Sequence, residues 1–151
     1  MDRLRNLEYN SDWAAHGSFI MSDGMYKEKI VPNSASELTV MLGEKYDFGD
    51  IDSDGDEDAA VVLISNPGGS GTFYSLAVVI DDNGKLTNKC NVFLGDRVKI
   101  NSVSVESGKI IVDMITQGVN DPMFRPSVRV TRTFIFGDAN LVEINEKNEI
   151  K

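Results

Sequence analysis

The stretch that decides the fold runs from an acidic loop directly into an apolar segment: Gly49-Asp50-Ile51-Asp52-Ser53-Asp54-Gly55-Asp56-Glu57-Asp58-Ala59-Ala60-Val61-Val62-Leu63-Ile64. Aspartates stand at loop positions one, three, five and nine, and a glycine stands at position six. In calcium loops with this spacing, alternate side chains point inward and the glycine permits a sharp turn. The stretch therefore predicts a cation-binding loop that leads into a buried strand.

The predicted cation is Ca²⁺, because hard divalent cations prefer oxygen ligands and this loop offers little else. We expect the carboxylates of Asp50, Asp52, Asp54 and Asp58 to bind it, with the backbone carbonyl of Asp56 at position seven. Acidic groups this close together would repel one another without a cation. A solvated acidic turn is the alternative interpretation.

The loop departs from an EF-hand because strand, not helix, is expected after it. Position twelve, which holds a bidentate Glu in an EF-hand, is Val61. Affinity should therefore fall toward the weak extracellular range of roughly 10⁻⁴ to 10⁻³ M. A site that weak would stay empty at cytosolic calcium levels, which favours an exported protein.

The N-terminal residues, Met1 to Asn10, contain no apolar core of a signal peptide. We therefore expect an extracytoplasmic (periplasmic or secreted) location if a signal peptide has been removed, and a cytoplasmic one otherwise.

Composition restricts the class of protein. The 151 residues suit one domain, spanning residues 1–151. The formal net charge of −9 argues against nucleic acid and anionic membrane as partners. No stretch has the length and apolarity of a membrane-spanning helix. The single cysteine excludes an intrachain disulfide, and the oligomeric state stays open.

Apolar residues recur mainly with period two, which is typical of strands. Two hairpins are predicted, one at Asn83-Gly84 and one at Ser107-Gly108. A change of parity near Asn101-Ser102 predicts a β-bulge. We expect Ala59 to Ile64 and Thr72 to Ile80 to form the centre of the sheet.

The remaining segments complete the expected fold. Glu37 to Leu42 is a further predicted strand, a turn is expected at Asp23-Gly24, and Asp2 to Leu7 could form one or two helical turns. The fold class is therefore mostly β with little helix: a single-domain antiparallel sheet or sandwich, or a partly open barrel.

The segment from Gln117 to Pro126 is a candidate partner-binding loop. It is longer than a simple hairpin requires and contains two prolines. Its expected contact residues are Asp121, Met123, Phe124 and Arg125. The alternative is that Met123 and Phe124 fold back onto the core.

Other candidate sites favour structural interpretations. Gly68-Gly69-Ser70-Gly71 lacks the Lys-Ser/Thr and helix of a P-loop, so a strand connection is expected. His16 has no second histidine with which to share a metal, and Cys90 is expected to be a small packed residue. Asp113 and Asp121 are interpreted as structural or surface carboxylates.

The acidic loop resembles the Gly-Asp-x-Asn/Asp-x-Asp-Gly-x-x-Asp-apolar signature of FG-GAP/VCBS-type calcium loops, over about a tenth of the chain. Further segments resemble a family of small, uncharacterised bacterial exported or lipoprotein domains: Gly69 to Tyr74, Leu94 to Val98 and Asp121-Pro122-Met123. Cysteines commonly follow the last element in that family, but Phe124-Arg125 stand here. The resemblance implies bacterial origin and export, and it supplies no activity.

The favoured function is a calcium-stabilised, extracytoplasmic binding domain without catalytic activity, with a protein or cell-envelope ligand as its partner. No nucleophile–base pair and no acid/base motif can be named in the sequence. Two alternatives stay open: a hydrolase that uses carboxylates near the acidic loop, and a structural subunit of a surface assembly that pairs through strand edges.

Overall fold

The computed structural model describes residues 2–29, 36–69, 71–117, 127–138 and 140–144. Within these ranges the chain forms twelve strands and one short 3-10 helix, Leu4–Asn6. The strands, in chain order, are β1 (Glu8–Asn10), β2 (Ser18–Ile20), β3 (Met25–Lys29), β4 (Glu37–Leu42), β5 (Asp47–Gly49), β6 (Asp58–Asn66), β7 (Phe73–Asp82), β8 (Lys85–Asp96), β9 (Lys99–Glu106), β10 (Lys109–Thr116), β11 (Val128–Gly137) and β12 (Asn140–Ile144).

These strands form three antiparallel sheets. The large sheet has the order β3-β4-β6-β7-β8, with β5 also paired to β6. A four-stranded sheet has the order β12-β11-β10-β9, and β1 pairs with β2. The predicted antiparallel, mostly β fold is confirmed, and its layers are those of a sandwich rather than a closed barrel.

The predicted central position of Ala59 to Ile64 is confirmed. These residues belong to β6, which pairs with β7 along one edge and with both β4 and β5 along the other. Successive side chains point to opposite faces: Ala60 and Val62 enter one core, and Val61 and Leu63 enter the other. The apolar run is continuous because both faces of the strand are covered.

The first core lies between the large sheet and the four-stranded sheet. Leu76 and Val78 of β7 belong to the same buried cluster as Ile110 of β10 and Phe134 of β11. This cluster also includes Ile51 of the acidic loop.

The second core lies on the opposite face of the large sheet, under the N-terminal segment. Tyr9 of β1, Phe19 of β2 and Met21 pack in one buried cluster with Val61 and Val79 of the large sheet. The large sheet is therefore the middle of three layers.

The predicted turns and bulge have the expected backbone geometry. Asn83 and Gly84 have φ values of 55° and 92°, and Ser107 and Gly108 have 51° and 78°. Two successive positive φ values are the mark of a type I′ hairpin turn. The pairing of β9 with β10 shifts register so that Asn101 has no residue opposite it, which confirms the bulge.

The N-terminal helix is limited to the single 3-10 turn. It ends because Leu7 is already extended, with φ −125° and ψ 156°, and leads into β1. Among the described residues, no helical segment has both the length and the apolarity that crossing a bilayer would require.

Candidate metal centre

The acidic loop, residues 50–57, closes the hairpin between β5 and β6. The last residue pair of this hairpin is Gly49 opposite Asp58. Asp58 therefore lies at the base of the loop, as the first residue of the central strand, while Asp50 lies just past the end of β5.

Four predicted ligands converge in this loop. One carboxylate oxygen from each of Asp50, Asp52, Asp54 and Asp58 lies within 4.8 Å of the others. Asp56 was predicted to act through its backbone carbonyl, and its exposed carboxylate is not part of the group. Four aspartates placed in this way could hold a metal ion.

Asp58 differs from the other three because it is buried, with 1% of its surface exposed. Its Oδ2 accepts hydrogen bonds from the backbone N–H of Ile51 at 2.9 Å and of Asp52 at 3.4 Å. Its Oδ1 accepts the N–H of Asp81, on β7, at 2.9 Å. Buried N–H groups need partners, so this carboxylate joins the loop to the large sheet.

The exposed end of the loop is organised by its own carboxylates. Asp50 accepts the N–H of Gly55 at 2.9 Å, and Asp54 accepts the N–H of Asp56 at 2.8 Å. The chain turns twice through positive φ, at Ser53 (65°) and at Gly55 (89°). The predicted sharp turn at Gly55 is confirmed, and the acceptors face inward as the spacing requires.

Burial and the crowding of like charges change the acidity of this loop. The pKa of Asp52 is raised to about 6, first by desolvation and then by its hydrogen bond to Asp54 and the charge of Asp58. The pKa of Asp56 is also raised, mainly by the charge of Asp54. A bound cation would oppose both shifts because it favours the ionised carboxylates.

The loop is attached to the four-stranded sheet as well. Ile51 is 2% exposed and packs in the first core. Asp47 Oδ2 accepts the N–H of Val105, on β9, at 2.8 Å. A Cβ atom at Gly49 would lie 2.6 Å from Val105 Cγ1, so this position requires glycine for the approach of the two sheets.

Sequence reasoning did not identify Ile51 or Asp47 as parts of the site. A signal for Ile51 was present, because it is the one apolar residue among the acidic ones in the loop. Asp47 carries no comparable signal, since its partner Val105 is distant in the sequence.

The donor set consists of oxygen atoms, which suits a hard cation. Val61, at position twelve, points into the second core and is fully buried. It therefore supplies no ligand, as expected. A cation here would use the four carboxylates together with backbone carbonyls or water.

The candidate partner-binding residues Asp121, Met123, Phe124 and Arg125 lie outside the described residues. The prediction that they contact a partner therefore stays a prediction.

The glycine-rich segment is described in part, and its described residues adjoin a strand. A Cβ atom at Gly71 would lie 2.5 Å from Cζ of Phe73, so the ring of Phe73 packs directly against the Gly71 backbone. Phe73 begins β7. This close approach explains why position 71 is a glycine.

Other titratable groups have structural surroundings. Burial raises the pKa of the Cys90 thiol to about 11, so at neutral pH it is protonated and a poor nucleophile. Asp113 forms a two-point ion pair with Arg129, at 2.6 and 3.1 Å, which lowers the pKa of that carboxyl. Arg132 binds Glu143 at 2.8 and 2.9 Å across β11 and β12.

Comparisons with protein-family models, with curated proteins and with solved structures find no match for this chain.

Proposed function

We propose that the protein is an extracytoplasmic binding domain, without catalytic activity, whose fold is stabilised by Ca²⁺ in the acidic loop. The observation that carries the proposal is the convergence of Asp50, Asp52, Asp54 and Asp58 within 4.8 Å, at the spacing of a calcium loop.

Calcium suits this loop better than magnesium. Ca²⁺ accepts six to eight oxygen ligands in flexible geometry, whereas Mg²⁺ demands a near-ideal octahedron and keeps much of its water. Asp50 and Asp54 lie at the solvent-exposed end of the loop, where water can complete the larger coordination shell of Ca²⁺.

A metal in this loop would act on the fold because the loop and the two strands that it joins contact both sheets. Asp58 binds β7, Ile51 packs between the sheets, and Asp47 binds β9. Ordering the loop should therefore hold the β5–β6 hairpin against both sheets.

The proposed extracytoplasmic location rests on the expected affinity of the loop for calcium. A loop without a bidentate Glu should bind calcium at roughly 10⁻⁴ to 10⁻³ M. Such a site fills only where free calcium is high. Binding is favoured over hydrolysis because Asp52 and Asp56, whose pKa values are raised, both lie in the acidic loop, and the carboxylate of Asp113 is paired with Arg129.

Calorimetry on calcium-stripped protein tests the metal site. We expect one site, lost in the double variant Asp52→Ala/Asp54→Ala. A matched control, Asp2→Ala/Glu44→Ala, removes the same charge from exposed positions and should bind calcium normally. Absence of binding heat, together with an unchanged melting temperature in millimolar calcium, would refute the proposal.

The partner is expected to contact the loop that contains Phe124 and Arg125. Capture of envelope proteins or envelope fragments by the parent and by Phe124→Ala/Arg125→Ala tests this. Lost capture with an unchanged melting temperature supports a binding loop. A large fall in melting temperature with capture intact means that these side chains only pack.

A further inference from the structure

A second site lies far from the acidic loop in the fold, at one end of the second core. It is a pocket of about 360 Å³ between the N-terminal segment and the large sheet, within the size range of small-molecule sites. Its floor includes Leu63, Ser65 and Ser75, and its rim includes Trp13 and Phe93.

The pocket exists because the covered face of the large sheet changes from apolar to polar at this end. On β6 this face presents Val61 and Leu63, and then Ser65. On β7 it presents Val79 and Ala77, and then Ser75, which pairs with Leu63. The serines are smaller than the valines and the leucine of this face, which leaves space under the segment that carries Trp13.

The two serines present hydroxyl groups without protein partners. Ser65 is 6% exposed, and its hydroxyl is not among the fully buried polar atoms that lack a partner in the described part of the chain. Neither Ser65 nor Ser75 makes a side-chain hydrogen bond to any part of the chain that the structure describes. These hydroxyls are therefore open to water in the pocket, and the hydroxyl groups of a ligand would take the place of that water.

The rim carries exposed aromatic rings in a fixed arrangement. Trp13 is 45% exposed and Phe93 is 56% exposed. Trp13 stacks on Phe73 with ring centroids 4.8 Å apart, and Phe73 lies 6.2 Å from Phe93. Solvent-exposed aromatic rings around a polar floor are unusual unless something packs on them.

The segment that carries Trp13 is held in place by hydrogen bonds. The N–H of Ser11 donates to the carbonyl of Gly17 at 3.0 Å, and the N–H of Trp13 donates to Ser11 Oγ at 3.1 Å. Ala14 is buried in the second core. The ring is therefore positioned before any ligand arrives, which reduces the entropy lost on binding.

Charge and hydrogen-bonding capacity restrict the ligand. The pocket is lined by one carboxylate, Asp12, and by no Lys, Arg or His among the described residues, so an anion is disfavoured. An apolar ligand would displace water from the hydroxyls of Ser65 and Ser75 without offering them a hydrogen-bond partner, which is unfavourable. The ligand must offer hydroxyl-like groups to the floor and a flat apolar face to the rings.

We propose that this pocket binds a neutral sugar ring. The C–H groups on one face of a pyranose can pack on Trp13 or Phe93, while its hydroxyls bond to Ser65, Ser75 and Asp12. This inference deepens the proposed binding function and rests on it for the ligand's envelope origin, but the pocket itself does not depend on the metal.

Trp13 is the single tryptophan of the chain, so its fluorescence reports directly on this pocket. The probes are glucose, galactose, mannose and N-acetylglucosamine with their β-linked oligomers, titrated into the tens of millimolar, with and without calcium. We expect a saturable emission change with at least one probe. Ser65→Ala/Ser75→Ala should weaken binding by about tenfold or more, since two hydrogen bonds are lost. The control, Ser102→Ala on β9, should bind as the parent does.

Two outcomes would overturn the inference: no saturable change with any sugar, or an equal response in Ser65→Ala/Ser75→Ala. Saturable binding of an apolar dye at Trp13, with no response to sugars, would overturn it as well. Calorimetry with calcium alone separates the two proposals: sugar binding without calcium binding removes the metal proposal only, and the reverse removes the sugar site only.

Discussion

Asp58 and Asp54 belong to the same motif, yet their replacement by alanine should have different consequences. In Asp58→Ala, the N–H groups of Ile51 and Asp81 lose a buried carboxylate that accepts both at 2.9 Å. In Asp54→Ala, one hydrogen bond at the exposed end of the loop is lost, from the N–H of Asp56. The first variant therefore damages the fold itself, and the second damages only the metal site.

The magnitude follows from these hydrogen bonds. Bonds to a charged acceptor contribute about 1.5–3 kcal/mol each, and Asp81 is partly exposed to water, so Asp58→Ala should lower the free energy of unfolding by roughly 3 kcal/mol. For a chain of this length that loss lowers the melting temperature by about 6–12 °C. Asp54→Ala should change the stability of the calcium-free protein by less than about 1 kcal/mol, because relief of charge repulsion offsets the lost bond.

Urea unfolding of the parent and both variants, each in chelator and in calcium, measures these differences. The parent should gain about 2.7 kcal/mol at a calcium concentration one hundred times the dissociation constant. Both variants should lose most of this gain. The reasoning is refuted if Asp58→Ala equals the parent in chelator, or if Asp54→Ala keeps the full calcium gain.

Four further predictions concern the loop and its surroundings. The pKa of Asp52 is raised from 3.8 to about 6 in the folded protein. This shift stabilises the calcium-free protein fully below pH 3.8, and the stabilisation is lost as the pH rises through about 6. Urea unfolding across this window should show the decline. Calcium competes with the proton on the Asp52 carboxylate, so calorimetry should show weaker calcium binding below about pH 6. Calcium should slow hydrogen exchange in Ala59 to Ile64, and equal exchange with and without the metal would separate the loop from the core. Gly49→Ala should lower the free energy of unfolding by about 1–3 kcal/mol through its clash with Val105, whereas Gly69→Ala, which has open space around its Cβ position, should be nearly neutral in the same unfolding assay.

Local features were predictable because they depend on a few adjacent residues. Asn83-Gly84 adopts positive φ with little strain, so the hairpin follows from the dipeptide alone. The bulge at Asn101 follows from the change of parity between the apolar residues on either side of it. The convergence of the aspartates follows from their spacing within a single loop. The continuous apolar run of β6 likewise indicated a buried strand at the centre of the sheet.

Long-range features required the tertiary structure. Asp54 and Asp58 have the same side chain in the same motif, but only the packing of β6 against β7 buries Asp58 and gives it backbone partners. The pocket at Trp13 depends on the N-terminal segment leaving the large sheet where Ser65 and Ser75 stand, and neither serine looks unusual in the sequence. Residue type and spacing thus determined the strands, turns and acidic loop, because these arise from local backbone preferences. Burial and the meeting of distant side chains were decided by the tertiary structure, because they depend on which sheet faces pack together.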